Sequence, residues 1–281
     1  MSGKILVVGA NGTVGANLVP ALLRKGEKVV AVSREGRAPA GAEALRLDLR
    51  DATALPAALA GVDRIYALSP AGNVDQPGFL SPVIDAAAKK GVKVVLQTAI
   101  GVDADDNIPF RQVELKLERS GTPFVILRPN WFADNFVTYW GEQVKRGEIR
   151  VPAGEGKSSF IDARDIAAAA AGALTSSAHD GKAFNLTGPD AHSYSEAAAM
   201  LSKALGRSIG YRSVDDATFK REMVAGGLSQ EYADVLAMIF YPVTQGWTAA
   251  VTDAVEALSG KPPRSLQSSI DDLAVTLRAA A

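Results

Sequence analysis

The sequence predicts an α/β fold, a doubly wound parallel sheet joined to a smaller, mostly helical carboxyl-terminal lid. Three observations predict it. Up to about residue 130, short apolar runs alternate with segments of helical periodicity. Gly26, Gly61, Gly91 and Gly121 each stand just past such a helical segment, where a left-handed stop is favoured. Residues 4–15, KILVVGANGTVG, run from an apolar stretch through Gly9, Gly12 and Gly15 straight into a helix pattern. Strands this apolar, separated by helices, belong in a parallel sheet covered on both faces.

The elements follow in order. Strands are expected at Ile5–Val8, Val29–Ser33, Ala44–Asp48, Arg64–Leu68, Val94–Thr98 and Phe124–Arg128. Between them lie helices at Thr13–Lys25, Ala52–Ala60 (behind Asp51 as cap), Phe79–Lys90 and Arg111–Arg119. Beyond residue 130 the rhythm loosens. A helix over Trp131–Val144 precedes two short strands near Ile149–Pro152 and Ser158–Ile161, and a helix Ala163–Leu174 leads into a strand Ala183–Leu186. Helices Tyr194–Leu205, Asp216–Ala225, Gln230–Tyr241 and Leu266–Leu277 complete the chain. This reading divides the protein into a sheet domain, residues 1–150, and a lid, residues 151–281, with some strands of the second shared with the main sheet.

Bulk composition narrows the function. Of 281 residues, 47% are hydrophobic and 22% charged, ordinary for a globular protein. The net charge of −1 gives no basic surface for nucleic acid or anionic membrane. With no cysteine and two histidines, His179 and His192, thiolate chemistry is excluded and a histidine metal site is not expected. The first strand begins within a few residues of Met1, so no signal peptide is expected. The longest apolar stretch, Ile166–Leu174, is too short to span a bilayer. A cytoplasmic protein is the expectation, monomer or homodimer.

The order of strand, glycine turn and helix at residues 4–23 is what the pyrophosphate of a dinucleotide requires, in the manner of a Rossmann fold. Gly9 allows a sharp turn out of the strand, Gly12 lets the backbone approach the phosphates, and Gly15 brings the helix close to the sheet. The helix then presents its N-terminal N–H groups to the anion. An acidic residue closing the second strand would favour NAD, and a nearby arginine NADP. That strand ends at Ser33 and continues Arg34-Glu35-Gly36-Arg37. Arg34 and Arg37, helped by the Ser33 hydroxyl, can form a planar charged grip on a 2′-phosphate; Glu35 dissents but can point to solvent. NADP(H) is therefore the expected cofactor. Asp48 and Leu49 either flank the adenine or close a turn. Leu68, Ser69, Pro70, Thr98 and Ala99 end the fourth and fifth strands at the edge where ligands of such sheets lie.

Together these residues resemble the NmrA-like group of atypical short-chain dehydrogenase/reductases. Within it, the resemblance is to the triphenylmethane reductases and the type 2 NAD(P)H:quinone oxidoreductases. It rests on GANGTVG at 9–15, LDLRD at 47–51, LERSGTPFVILRPNWFADNF at 117–136, FIDARDIA at 160–167 and FNLTGPDAHSYSEAA at 184–198. The resemblance implies NADP(H) on Gly9, Asn11, Gly12, Thr13, Val14 and the Arg34 loop, and a substrate cleft between the sheet edge and the lid. Ordinary members of the larger superfamily carry a Tyr-x-x-x-Lys pair on the helix before the sixth strand. The matching positions here are Asp106 and Phe110. A phenol and its lysine protonate a nascent alkoxide, so this chain should be a poor alcohol dehydrogenase. Glu114 and Lys116, further along that helix, are read as structural or surface residues.

The chemistry that survives is hydride transfer to an acceptor that needs little proton help. A reduced quinone leaves as a phenolate-like anion, and a cationic dye becomes neutral on accepting hydride. Stacking and exclusion of water then carry the rate. Trp131, Phe132, Phe136, Tyr139 and Trp140, with Phe160, are the expected substrate-lining residues, although aromatic residues at helical spacing also build cores. Tyr139 is the candidate replacement acid. The expected function is thus an NADPH-dependent oxidoreductase acting on an aromatic, quinone-like or dye-like acceptor. The alternative is an NADP(H)-sensing regulator without turnover. One or both of Asp162 and Asp165 are expected to cap the helix Ala163–Leu174 rather than to catalyse, and the same holds for Asp215-Asp216 and Asp271-Asp272.

Overall fold

Five consecutive residues, KILVV, form the first strand, β1 (Lys4–Val8), and four of them are buried. The computed structural model describes residues 3–279. After β1 come α1 (Gly15–Arg24), β2 (Val29–Ser33), β3 (Glu43–Arg46), α2 (Leu55–Ala58), β4 (Val62–Leu68), α3 (Gln76–Lys90), β5 (Lys93–Gln97), α4 (Pro109–Glu118) and β6 (Phe124–Pro129). Then follow α5 (Gly141–Arg146), β7 (Glu148–Val151), β8 (Lys157–Ser158), α6 (Ala163–Thr175), β9 (Lys182–Leu186), β10 (His192–Ser193), α7 (Tyr194–Leu205) and β11 (Gly210–Ser213). The chain ends with α8 (Asp216–Ala225), α9 (Gln230–Met238), α10 (Tyr241–Thr244), α11 (Ala254–Ser259) and α12 (Leu266–Ala279).

The α/β, doubly wound class read from the sequence is the observed one. Seven parallel strands form one sheet in the order β3-β2-β1-β4-β5-β6-β9. Strand order reverses between β1 and β4, the place where ligands of open α/β sheets bind. One face of the sheet packs on α2, α3 and α4 through Leu6, Val8, Ile65, Leu80, Val83 and Val113. Helices α1 and α6 cover the other face.

The chain divides into two compact units. The first contains Met1–Pro129, Ala163–Leu186 and Asp253–Pro262; the second contains Asn130–Asp162, Thr187–Thr252 and Pro263–Ala281. This differs from a cut at residue 150. Residues 130–150 pack with the second unit, whereas β9, α6 and α11 build the first. The sheet recruits β9 through backbone pairing with β6, from Val125 with Lys182 to Pro129 with Leu186.

In the second unit the core is aromatic. Phe136, Trp140, Phe160, Tyr194, Phe219 and Phe240 are all buried there. Neighbouring rings stand at centroid distances from 5.3 Å (Phe160–Tyr194) to 6.4 Å (Trp140–Phe240), each such pair worth about 0.5–1.5 kcal/mol beyond area burial. Parallel β7–β11 and antiparallel β8–β10 pairs flank this core.

Two local expectations are corrected here. The helix expected over Trp131–Val144 is a 3₁₀ turn (Ala133–Phe136), a loop and then α5. The Ala133 N–H donates to the Ile161 carbonyl at 2.8 Å and the Ile161 N–H to the Trp131 carbonyl at 2.9 Å, so residues 131–133 are held extended. Tertiary pairing overrides the helical pattern. The helix expected over Ala52–Ala60 shortens to α2, because the Asp51 carboxylate accepts the Thr53 N–H and hydroxyl instead and closes a turn.

Candidate functional site

The glycine turn has the geometry its sequence demands. Gly9 sits at φ 68°, and the Gly12 N–H donates to its carbonyl at 2.9 Å. A Cβ on Gly15 would collide with that carbonyl and stand 2.7 Å from Ala10 Cα, so no other residue fits where α1 meets the strand. Asn11, Gly12 and Thr13 are exposed at the rim, and Val14 is buried beneath them. No side chain caps α1, and its first turn holds no acidic residue. Within that turn the Ala16 N–H donates to the Gly12 carbonyl at 2.8 Å and the Leu18 N–H to the Val14 carbonyl at 2.9 Å, and the positive end of the helix they open suits an incoming anion. Leu68, at the end of β4, lies 3.5 Å from the position of a Gly9 Cβ. The loops after β1 and β4 thus adjoin at the point where strand order reverses.

The turn after β2 is tied to this cradle. Ser33 Oγ accepts the Arg37 N–H and donates to the Arg37 carbonyl, both at 2.9 Å. Asn11 Nδ2, from the glycine turn, donates to the same carbonyl at 3.0 Å. Arg34 and Arg37 are both exposed. Glu35 is exposed as expected, and its carboxylate pairs there with the Arg37 guanidinium at 2.9 Å. After β3, Asp48 accepts the Arg50 N–H at 3.0 Å and closes a turn, while Leu49 is buried in the sheet core. Ser69 Oγ accepts Asn73 Nδ2 at 2.8 Å, and Pro70 is exposed beside it.

At the end of β5, Thr98 is buried and Ala99 half-buried. The Thr98 hydroxyl donates to Glu114 Oε1 at 2.6 Å. Glu114, on α4, has no exposed surface. It accepts Arg128 Nε at 2.9 Å, Arg128 Nη2 at 2.7 Å and Arg111 Nη1 at 3.1 Å. Arg128 also reaches Asp103 at 2.5 Å. This buried ionic cluster binds the carboxyl ends of β5 and β6 together. Local sequence marks Glu114 as structural or surface but names none of these partners. The available signal was Arg128, a charge inside the apolar run FVILRP. Lys116 pairs with Asp85 at 2.8 Å on the surface.

The expected substrate residues separate in the second unit. Phe136, Trp140 and Phe160 lie inside its aromatic core, and as core residues they offer no surface to a ligand. Trp131 and Phe132 are half-buried, with Trp131 stacked on Phe240 at 4.7 Å. Tyr139 is 37% exposed and its hydroxyl lies 2.8 Å from that of Tyr232. Burial and the Tyr232 bond push the Tyr139 phenol above its usual range, which makes it a weaker acid. Tyr241 and Trp247, by contrast, are exposed and meet edge-to-face at 5.7 Å.

The NmrA-like family model matches residues 1–245. The chain belongs to the NmrA-like family. It is 34% identical over 276 residues to the NAD(P)H azoreductase of Xenophilus azovorans, covering 93% of this chain and 94% of that one. The NADPH-dependent quinone oxidoreductase of Escherichia coli, solved with NADPH, superposes with a TM-score of 0.84 at 26% identity, over 96% and 99% of the two chains. The Citrobacter sp. triphenylmethane reductase, solved with NADP(H), shares the fold with a TM-score of 0.82 at 24% identity, over 96% and 99% of the chains.

In this NmrA-like chain, a dinucleotide fits the cradle on the structure's own terms. A Cβ on Gly12 would stand in ordinary space except for the Gly9 carbonyl at 3.3 Å, so glycine here clears the exposed rim. The structure also places the two residues read from the sequence as matching the superfamily's Tyr and Lys. Asp106 lies in the turn before α4 and pairs with Arg111 at 3.2 Å, and Phe110 packs half-buried against the sheet core. Among the described residues, no three His, Cys, Asp or Glu side chains are grouped to hold a metal ion, and no helix is long and apolar enough to cross a membrane.

Proposed function

We propose that this protein is an NADPH-dependent reductase that delivers hydride to a flat aromatic acceptor of the quinone or dye class. One observation carries the cofactor half. The uncapped, acid-free amino end of α1 stands behind a glycine turn that Asn11 ties to an arginine-bearing turn after β2. NADPH, when bound, supplies the hydride. Gly9, Gly12 and the first turn of α1 hold the diphosphate, while Ser33, Arg34 and Arg37 receive the 2′-phosphate. Leu68, Ser69, Thr98 and Ala99 line the loops that follow β4 and β5.

The acceptor class follows from what the protein offers for proton transfer. Where a phenol and an ammonium would stand, this chain has Asp106, engaged by Arg111, and the packed ring of Phe110. An acceptor whose reduced form is a stabilised anion, or neutral, suits such a site. The names of the azoreductase and quinone oxidoreductase relatives support the same reading.

The test is NADPH oxidation followed with a panel of benzoquinones, naphthoquinones, azo dyes and triphenylmethane dyes, alongside simple ketones. Turnover with at least one aromatic acceptor and none with ketones is the expected result. Tight NADP⁺ binding with no acceptor-dependent oxidation overturns the enzyme reading and makes the protein an NADP(H) sensor.

A further inference from the structure

We propose that Glu35 is a specificity-determining residue that restrains Arg37 and thereby sets how strongly the protein prefers a 2′-phosphorylated dinucleotide. This rests on the NADP(H) reading above. The backbone of Arg37 is fixed at three points: its N–H and carbonyl on Ser33 Oγ, and its carbonyl on Asn11 Nδ2. Gly36, at φ 70°, makes the reversal that brings residue 37 back over Ser33. A Cβ there would press on Arg46 Cβ at 3.3 Å.

Position is therefore settled for Arg37, and only the direction of its guanidinium is open. In the structure that direction is taken by Glu35, whose carboxylate is 2.9 Å from Arg37 Nη2. Both side chains are more than two-thirds exposed, so the pair is weak and easily exchanged. A 2′-phosphate carries more charge than a carboxylate and offers more acceptor oxygens. It can displace Glu35 from Arg37, but it must also meet the released carboxylate close by. Glu35 thus acts twice against the 2′-phosphate, once as competitor and once as like charge. Arg34, exposed and next to Glu35 in the chain, provides the grip that needs no release. A cofactor lacking the 2′-phosphate has no reason to disturb the pair.

Isothermal titration of the purified protein with NADP⁺ and with NAD⁺ tests this without any turnover. Glu35→Gln should tighten NADP⁺ about three- to fivefold and leave NAD⁺ unchanged, the scale of an exposed ion pair. In an Arg37→Gln background the gain should shrink to the like-charge part alone, because no guanidinium remains to be released. Unchanged NADP⁺ affinity in Glu35→Gln overturns the proposal, as does a gain of equal size in the Arg37→Gln background. Arg34→Gln separates this failure from a failure of the cofactor reading. If wild type prefers NADP⁺ and Arg34→Gln loses the preference while Glu35→Gln does nothing, only the proposal falls. If wild type binds the two dinucleotides equally, or neither, both fall together.

Discussion

Glu114 and Arg128 form a two-pronged ion pair, Nε to Oε1 at 2.9 Å and Nη2 to Oε2 at 2.7 Å, in which the carboxylate has no exposed surface. Two further donors, Thr98 and Arg111, complete the carboxylate's shell. A buried pair of this kind is costly to break from one side, because the remaining charge stays desolvated. Glu114→Leu should destabilise the protein by about 3–5 kcal/mol in urea unfolding. Glu114→Leu combined with Arg128→Met should recover most of that loss. A single variant as stable as wild type would show that the pair is not holding α4 to β6.

The glycine turn separates folding from binding. Gly15→Ala drives a methyl into the Gly9 carbonyl and Ala10 Cα, so the first strand–helix junction must shift and the melting temperature should fall sharply. Gly12→Ala meets only the Gly9 carbonyl at 3.3 Å. It should melt within about 5 °C of wild type yet bind NADP⁺ more than about tenfold more weakly, because the methyl occupies the rim the phosphates approach. Thermal melts and calorimetry on the two variants check both halves.

Tyr194 is fully buried among aromatic rings, and its hydroxyl has no hydrogen-bond partner among the described residues. Removing an unsatisfied buried hydroxyl is favourable, so Tyr194→Phe should stabilise the fold by about 1 kcal/mol. A urea midpoint lower than wild type would contradict this.

Burial also holds the Tyr194 and Tyr66 phenols above their usual range. Their folded values exceed the unfolded value of about 10, so above that pH the unfolded chain releases protons that the folded one retains. Stability is complete below pH ~10 and declines as pH rises past it. Tyr194→Phe should make that alkaline decline shallower, as measured by urea midpoints between about pH 9 and pH 11.

Tyr139 is held by Tyr232 and is a weakened acid. Tyr139→Phe should leave quinone reduction within about twofold of wild type. A loss of more than about a hundredfold in kcat with KM unchanged would assign the phenol a proton-donating role.

The sheet and its cradle were legible in the sequence because each is written locally. Buried parallel strands must be apolar along their whole length, as VVAVS and KVVLQ are, and the glycines at 9, 12 and 15 answer to backbone sterics alone. Helices with strong caps were read to the residue: α7 behind the Ser193–Glu196 capping box and α8 behind Asp215. Less legible was anything decided by distant partners. The segment after Pro129 carries a helical pattern but is drawn extended by Ile161. Phe136, Trp140 and Phe160 read as a stacking surface because exposure depends on neighbours such as Tyr194 and Phe240, more than a hundred positions from Phe136 in the case of Phe240. The short strand β11 and helix α11 went unseen, the first because GYRS is largely polar and pairs only with β7. Glu35 is exposed, as its sequence position allows, and only the fold of its turn shows that it also meets Arg37.

The backbone passes from one compact unit to the other at 129/130, 162/163, 186/187, 252/253 and 262/263. No single scission releases either unit whole. A fragment ending at residue 150 would lack the outer strand β9 and the covering helix α6. Anyone wishing to graft a different carboxyl-terminal half onto this sheet must therefore exchange three separate stretches at once.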